Sequence, residues 1–169
     1  MSQTHIYVGL GSNLGDRAGY LLLGVRGLLA AGLCVTRLSA IYETEPVDVT
    51  DQPPFLNMVA ELSGATPFSP EQLLARLLRI EHALGRRRDV PRGPRTIDLD
   101  LLLYRDVQQQ SDLLTLPHPR LHLRRFVLTP LAELAPGGEH PTLKQTFEQL
   151  LSAVADRAHV RLWRPGDRA

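Results

Sequence analysis

Arg92-Gly93-Pro94-Arg95-Thr96-Ile97-Asp98-Leu99-Asp100-Leu101-Leu102-Leu103-Tyr104 is the stretch on which the reading of this chain turns. From Thr96 onward, apolar residues alternate with polar ones before merging into a leucine run, the pattern of a β-strand. A period of two places Ile97, Leu99, Leu101 and Leu103 on one face and Thr96, Asp98 and Asp100 on the other. At a rise of about 3.3 Å per residue, the two aspartates stand roughly 6.5–7 Å apart at Cα. Their oxygens can lean onto a shared divalent ion or a close pair of ions. A bare Asp-x-Asp is also compatible with an ordinary half-exposed strand whose polar face meets water. The preceding residues tilt the balance, because Arg86, Arg87, Arg88, Arg92 and Arg95 set five guanidinium groups in front of the two carboxylates. Carboxylates for Mg²⁺ beside several guanidinium groups are the composition of a polyphosphate site.

The bulk of the chain sets the outer limits. Its 169 residues fit one domain, 1–169, with a real core. Hydrophobic content of 43% and charged content of 22% match a soluble globular protein. A net charge of +1 argues against a dedicated nucleic-acid binder. The lone Cys34 rules out an internal disulfide framework and a multi-cysteine zinc site. No signal peptide is visible at Met1-Ser2-Gln3-Thr4-His5, and no window suggests a membrane span, so the expected address is cytoplasmic. Lys144 is the only lysine. Phosphate chemistry here must therefore rest on arginines and metal.

Taken in order, His5 to Gly9 reads as a short buried strand running into Gly9-Leu10-Gly11-Ser12-Asn13-Leu14-Gly15-Asp16. This glycine-rich turn matches neither standard phosphate motif, and it serves either as a tight strand-to-helix turn or as a substrate wall. A helix follows from Asp16 and closes at Gly32. Val35 to Thr44 reads as one strand, and residues 45–54 as a polar, proline-bearing loop of a length often functional. Phe55 to Ser63 is a strand with Leu56, Met58, Ala60 and Leu62 on one side and Phe55, Asn57 and Val59 on the other. Asn57, disfavoured in mid-strand, is either a satisfied structural amide or a ligand contact.

Ser69-Pro70-Glu71-Gln72 opens a second helix with an N-cap, a first-turn proline and Gln at the third position. Its stripe is Leu73, Leu74, Leu77, Leu78 and Leu84. Glu81 points with that stripe, so its carboxylate is either partnered by arginine or lines a pocket. Leu113 to Leu116 suggests a short strand before Pro117-His118-Pro119, which holds His118 extended as a loop histidine or a site residue. A last helix is expected near Leu143 to Ala158 and a last strand at Val160 to Trp163. The order β-α-β-β-α-β through Tyr104 fits an α+β, ferredoxin-like sandwich with an antiparallel sheet and helices packed on it. That fold serves RNA-binding modules and small-molecule enzymes alike.

Gly-Pro-Arg-Thr-Ile-Asp-Leu-Asp-Leu-Leu at 93–102 resembles the signature of the 6-hydroxymethyl-7,8-dihydropterin pyrophosphokinase family. Gly-Ser-Asn-Leu-Gly at 11–15, Tyr42-Glu43-Thr44-Glu45-Pro46, Gln52-Pro53-Pro54-Phe55-Leu56-Asn57, Gly85-Arg86 and Leu116-Pro117-His118-Pro119 are similar to further landmarks, in the family's order. The resemblance implies that ATP gives its β,γ-pyrophosphoryl group to the hydroxymethyl oxygen of the dihydropterin, releasing AMP. It implies two Mg²⁺ ions on Asp98 and Asp100, with Arg86 and Arg95 neutralising the transferring oxygens. For the pterin it implies stacking by Phe55 and Phe126 and hydrogen bonds from Asn57, Thr44 and the backbone of Glu45 to Val47. For ATP it implies His118, Arg88, Arg124, Thr115 and Leu101. The loops 45–54 and 86–95 would close over the substrates, and a monomer without nucleic-acid or membrane partners is expected.

The family often has a Trp before Gly-Pro-Arg, a Tyr after the His and an Arg five residues before it; here these are Arg92, Pro119 and Leu113. An RNA-binding module would want exposed aromatics and a basic sheet face, but this chain is only 5% aromatic and offers two aspartates on its central strand. A metal-dependent nuclease or other phosphotransferase would lack a use for the paired aromatics. A regulatory ATP binder would leave Arg86 and Arg95 without a task.

Overall fold

The computed structural model describes residues 4–46, 49–87 and 91–167. The strands are β1 (His5–Ser12), β2 (Val35–Leu38), β3 (Tyr42–Thr44), β4 (Phe55–Ser63), β5 (Asp98–Tyr104), β6 (Gln109–Gln110), β7 (Thr115–Leu116) and β8 (Val160–Leu162). The helices are α1 (Arg17–Ala30), α2 (Pro70–Ala83), α3 (Arg125–Leu134) and α4 (Phe147–Ala153), with a short 3₁₀ turn at Leu121–Leu123. The main sheet runs β5-β1-β4-β3-β8, with β2 also paired to β4 and all of these pairings antiparallel. This is the ferredoxin-like order expected for β-α-β-β-α-β, extended at one edge by β8.

The sheet separates two cores. Ile6, Val8, Leu10, Leu56, Met58, Ala60 and Leu62 pack on one face against Leu21 and Leu28 of α1 and Leu73 and Leu77 of α2. Tyr7, Val59, Leu102 and Leu103 pack on the other against Val127, Leu128 and Leu131 of α3 and Phe147 and Leu150 of α4. The central strand β4 is therefore covered on both faces, which explains its continuous burial, although buried Asn57 and Glu61 flank Val59 on the second face. Helix starts follow their caps. Asp16 accepts from the Gly19 N–H, and Ser69 with Gln72, like Thr146 with Gln149, forms a reciprocal capping box. Gly32, at φ +82°, ends α1 in the left-handed conformation that glycine tolerates best.

Several details differ from the sequence reading. Val35 to Thr44 is two strands, because the chain breaks register at Ser39, whose hydroxyl accepts the Val59 N–H at 2.9 Å. The β1–β5 register shifts between Tyr7 and Val8, so that Val8 faces Leu101 while Tyr7 faces Leu103. The extra residue, Leu102, is a bulge that moves Leu103 to the α3 side, away from Leu99 and Leu101. The last helix is only Phe147–Ala153, because the segment before it turns at Lys144, φ +56°. Finally, Leu78 stands 43% exposed, outside the buried stripe of α2.

Candidate active site

Two clefts open beside β5. The first lies between β1, β4, the 45–54 loop and the start of α3. The second lies between α2, β5 and the segment 111–119. Asp98 and Asp100 are the residues common to both linings. The alternation of β5 sets the two carboxylates on one face, and their cross-strand partners on β1 are glycines, with Gly11 opposite Asp98 and Gly9 opposite Asp100. A Cβ on Gly11 would approach Asn57 Oδ1 to 2.9 Å and Asp98 Cβ to 3.9 Å, so a side chain there would fill the space between the aspartates and β4.

The first cleft gathers Thr44, Glu45, Phe55, Asn57, Phe126, Arg95 and Arg124. Asn57 Nδ2 donates to Thr44 Oγ1 at 2.8 Å, which fixes the amide and leaves its oxygen toward the cavity side of β4. Each wall aromatic carries an arginine: Arg95 lies 5.0 Å from the Phe55 ring centre and Arg124 lies 5.4 Å from that of Phe126. Such a slot suits a flat, polar-edged heterocycle.

The second cleft gathers Arg86, Leu101, Thr115 and His118. The His118 N–H donates to the Leu102 carbonyl at 2.9 Å, which docks the Pro117-His118-Pro119 segment on β5. His118 Nδ1 accepts the Arg120 N–H at 3.1 Å, so the neutral ring carries its proton on Nε2. Burial, aided by the charges of Arg124 and Arg120, pushes His118 down to about 4. It stays a neutral donor near pH 7. Arg124 lines the first cleft rather than the second, and its charge acts on both His118 and Asp100. Val47 and Arg88 lie outside the described residues.

Between the clefts, charge is tightly interlocked. Arg86 Nη1 donates to Asp98 Oδ1 at 2.5 Å and to Glu81 Oε1 at 2.6 Å, and Arg95 Nη2 stands 3.3 Å from Asp98 Oδ2. Among the described residues, the buried Nε–H groups of Arg86 and Arg95 have no acceptor. Burial and the negative charge of Asp98 push the Asp100 carboxyl up to about 7, against the pull of Arg124.

Glu81 holds this arrangement from beneath. Its Oε1 also accepts the Leu99 N–H at 2.7 Å, so one buried carboxylate pins both β5, between the two aspartates, and Arg86. The sequence left Glu81 as arginine partner or pocket lining; it is both. Sequence reading missed the role of Asn13. Its side chain donates to Gln52 Oε1 at 2.9 Å and to the Pro53 carbonyl at 3.0 Å, and it accepts the Arg95 N–H. Gln52 Nε2 in turn donates to the Arg92 carbonyl at 3.2 Å. The signal lay in the motif 11–15, which a single sequence cannot resolve into turn and contact residues. Of the three departures, Arg92 lines the first cleft at φ +58°, Pro119 lines the second, and Leu113, 78% exposed, sits at the rim of the second.

Residues 7–136 match the model of the 7,8-dihydro-6-hydroxymethylpterin-pyrophosphokinase (HPPK) family. The chain belongs to the HPPK family. It is 43% identical over 159 residues to the 2-amino-4-hydroxy-6-hydroxymethyldihydropteridine pyrophosphokinase of Bacillus subtilis, covering 94% of this chain and 89% of that protein. It is 44% identical over 133 residues to a mitochondrial folate synthesis bifunctional protein of Arabidopsis thaliana, covering 79% of this chain but 24% of the plant protein. The fold matches the solved structure of wild-type Plasmodium falciparum HPPK-DHPS with pterin and p-hydroxybenzoate, at TM-score 0.67 and 15% identity over 90% of this chain and 43% of that one. This HPPK-family chain thus spans most of the Bacillus relative, but less than half of the larger proteins. No helix among the described residues is long and apolar enough to cross a membrane.

Proposed function

We infer that this chain transfers the β,γ-pyrophosphoryl group of ATP to the hydroxymethyl oxygen of 6-hydroxymethyl-7,8-dihydropterin, giving AMP and the pterin diphosphate in folate biosynthesis. The observation that carries this reading is the pair of clefts meeting at Asp98 and Asp100. The aromatic slot suits the pterin, and the cleft of Leu101, Thr115 and His118 suits the nucleotide. Their junction is where a hydroxyl can meet a phosphorus in line. The hydroxymethyl oxygen forms a bond to the β-phosphorus, and the bond from that phosphorus to the α,β-bridging oxygen breaks. AMP keeps the bridging oxygen, and the hydroxyl proton goes to solvent.

Asp98 and Asp100 fit Mg²⁺. They are hard oxygen donors on one strand face, opposite two glycines, and their mutual repulsion, seen in the raised Asp100 carboxyl, is relieved by a divalent cation. Bound there, Mg²⁺ would neutralise charge on the triphosphate. Arg86 and Arg95 carry buried Nε–H donors beside Asp98, suited to the oxygens of the transferring group. Phe55 and Phe126 would stack on the pterin faces, and Asn57 would read its mixed donor–acceptor edge with Thr44 and Glu45 adjoining; Val47 joins them only by the family resemblance. Arg88 and Arg124 would add charge contacts to ATP. One chain supplies both clefts, which supports action as a monomer. The exposed free thiol of Cys34 fits a reducing cytoplasm.

The test is AMP release from ATP and Mg²⁺ with and without 6-hydroxymethyl-7,8-dihydropterin. AMP formed only with the pterin, and matched by pterin diphosphate, is the expected result. ADP or inorganic phosphate in its place would replace this reading with ordinary kinase or hydrolase chemistry.

A further inference from the structure

The family match ends at residue 136, yet the sheet does not. β8 adds itself to β3 antiparallel, pairing Glu43 with Arg161 and Thr44 with Val160. Both strands are only three residues long. On its other edge β3 pairs with β4, Thr44 opposite Phe55. A strand this short defines its own register weakly, and a slip of one residue against β4 would exchange the two faces of β3. In β3 that exchange would turn Thr44 away from Asn57 and swing the Glu43 side chain toward the aromatic slot.

Side chains prevent it. Glu43 is buried, 7% exposed, beside α1. Its Oε1 accepts from both Nε and Nη2 of Arg161, and its Oε2 lies 2.8 Å from Nη1 of Arg17. Burial alone would raise the Glu43 carboxyl, but the two arginines outweigh it and hold the group ionised. Arg17 Nη1 also donates to the Pro54 carbonyl at 2.9 Å. One guanidinium therefore grips both feet of the 45–54 loop: β3 just before Thr44, and the residue just before Phe55. Arg161 secures the carboxylate from the far side.

We propose that Arg161, carried on a strand beyond the family-matched region, is a positioning residue for the pterin slot. It acts through Glu43, which fixes the register of β3 and so the Thr44–Asn57 hydrogen bond that orients the Asn57 amide. The proposal rests on the reading of the first cleft as the pterin site. Arg161 touches no cleft-lining side chain in the described contacts, so its loss affects the fit of the pterin and leaves the nucleotide cleft and the transfer step in place.

Steady-state kinetics on the full chain test this, with pterin and ATP varied separately and each variant assayed well below its melting temperature. For Arg161→Ala, the expected result is a rise of about tenfold in KM for the pterin, with kcat and KM for ATP within about twofold. Arg161→Lys, which keeps a cation opposite Glu43, should recover most of that loss. Arg157→Ala, an exposed arginine before β8, should behave as the wild type. Direct titration with 6-hydroxymethyl-7,8-dihydropterin should show the same order of affinities. An unchanged pterin KM in Arg161→Ala, equal losses for ATP and pterin, or a lysine variant as impaired as the alanine would each overturn the proposal. A wild-type protein that neither binds pterin nor forms AMP would instead overturn the assignment of the cleft, and the positioning role with it.

Discussion

Asn13 and Arg95 are joined by a reciprocal pair of hydrogen bonds: Asn13 Oδ1 accepts the Arg95 N–H at 2.9 Å, and the Asn13 N–H donates to the Arg95 carbonyl at 3.2 Å. The main chain of a proposed phosphate-binding arginine is thus fixed by the turn after β1. Through Gln52 and Pro53 the same side chain reaches the loop beside the proposed pterin slot. Asn13→Ala should lower kcat by about a hundredfold while the melting temperature falls little, since a misplaced transition-state contact costs rate before it costs stability. Rapid-quench measurement of AMP formation checks this, and a loss confined to KM would contradict it.

Glu81 meets the Leu99 N–H and Arg86 with one oxygen, so an uncharged substitute keeps shape but loses both charge-assisted bonds. Glu81→Gln should destabilise the fold by about 1–3 kcal/mol and lower kcat, because Arg86 then has only Asp98 to orient it. Urea unfolding and turnover on the same preparation separate the two effects. A variant with reduced stability and full turnover would show that Glu81 supports the strand alone.

Asp100 works against the fold. Its folded pKa of about 7 lies above the 3.8 of a free aspartate, so the folded chain favours the neutral acid. The resulting penalty is absent below the unfolded value, grows as pH rises between the two, and is complete above the folded value. Asp100→Asn should therefore melt higher than wild type at pH 8 while turnover is abolished. The gain should shrink as pH falls toward 4. The proposed Mg²⁺ on Asp98 and Asp100, added with an ATP analogue, would require the ionised form, so its binding near pH 6 should release a proton, detectable by calorimetry in buffers of different ionisation enthalpy.

Glu61 has the opposite sign. Burial pushes its carboxyl up, but bonds from Arg37 and Thr36, the His5 charge and the Tyr7 hydroxyl together bring it down to about 2 from 4.5. Its stabilising contribution is complete above the unfolded value and is lost as pH falls toward 2, and at about 1.4 kcal/mol per pKa unit it reaches roughly 3 kcal/mol at most. Glu61→Gln should lower the melting temperature at pH 7 and flatten its decline between pH 4.5 and 2. An acid limb as steep as wild type would rule Glu61 out as its cause.

How much of this was legible without coordinates depended on how local each feature is. The strand with Asp98 and Asp100, the capping box at Ser69 and the glycine stop at Gly32 follow from neighbours in sequence, and all three appear in the structure. Helix α3 has no clear signal in the sequence, since Pro130 lies inside it and a proline there normally ends a helix. Tertiary burial of Val127, Leu128, Leu131 and Leu134 overrides that preference. The bulge at Leu102 left no mark in a run of identical leucines. The resemblance implied a set of contact residues for each substrate, but not how those residues are braced. Asn13, Glu81 and Arg17 act across the chain, and no spacing rule exposes a contact between residues 13 and 95 or 17 and 54.

The glycines opposite the two aspartates give the site a hidden vulnerability. Gly9 and Gly11 contribute their absence of bulk, so the space between β1 and β5 is defined by atoms the chain does not have. A single methyl group at position 11 would press on Asn57 Oδ1 while resting against Asp98, so one small, uncharged change would disturb the amide that faces the cleft. A Cβ at position 9 would meet only Leu102, at 3.5 Å, so it is Gly11 that matters by what it leaves empty, although it has no functional group with which to act.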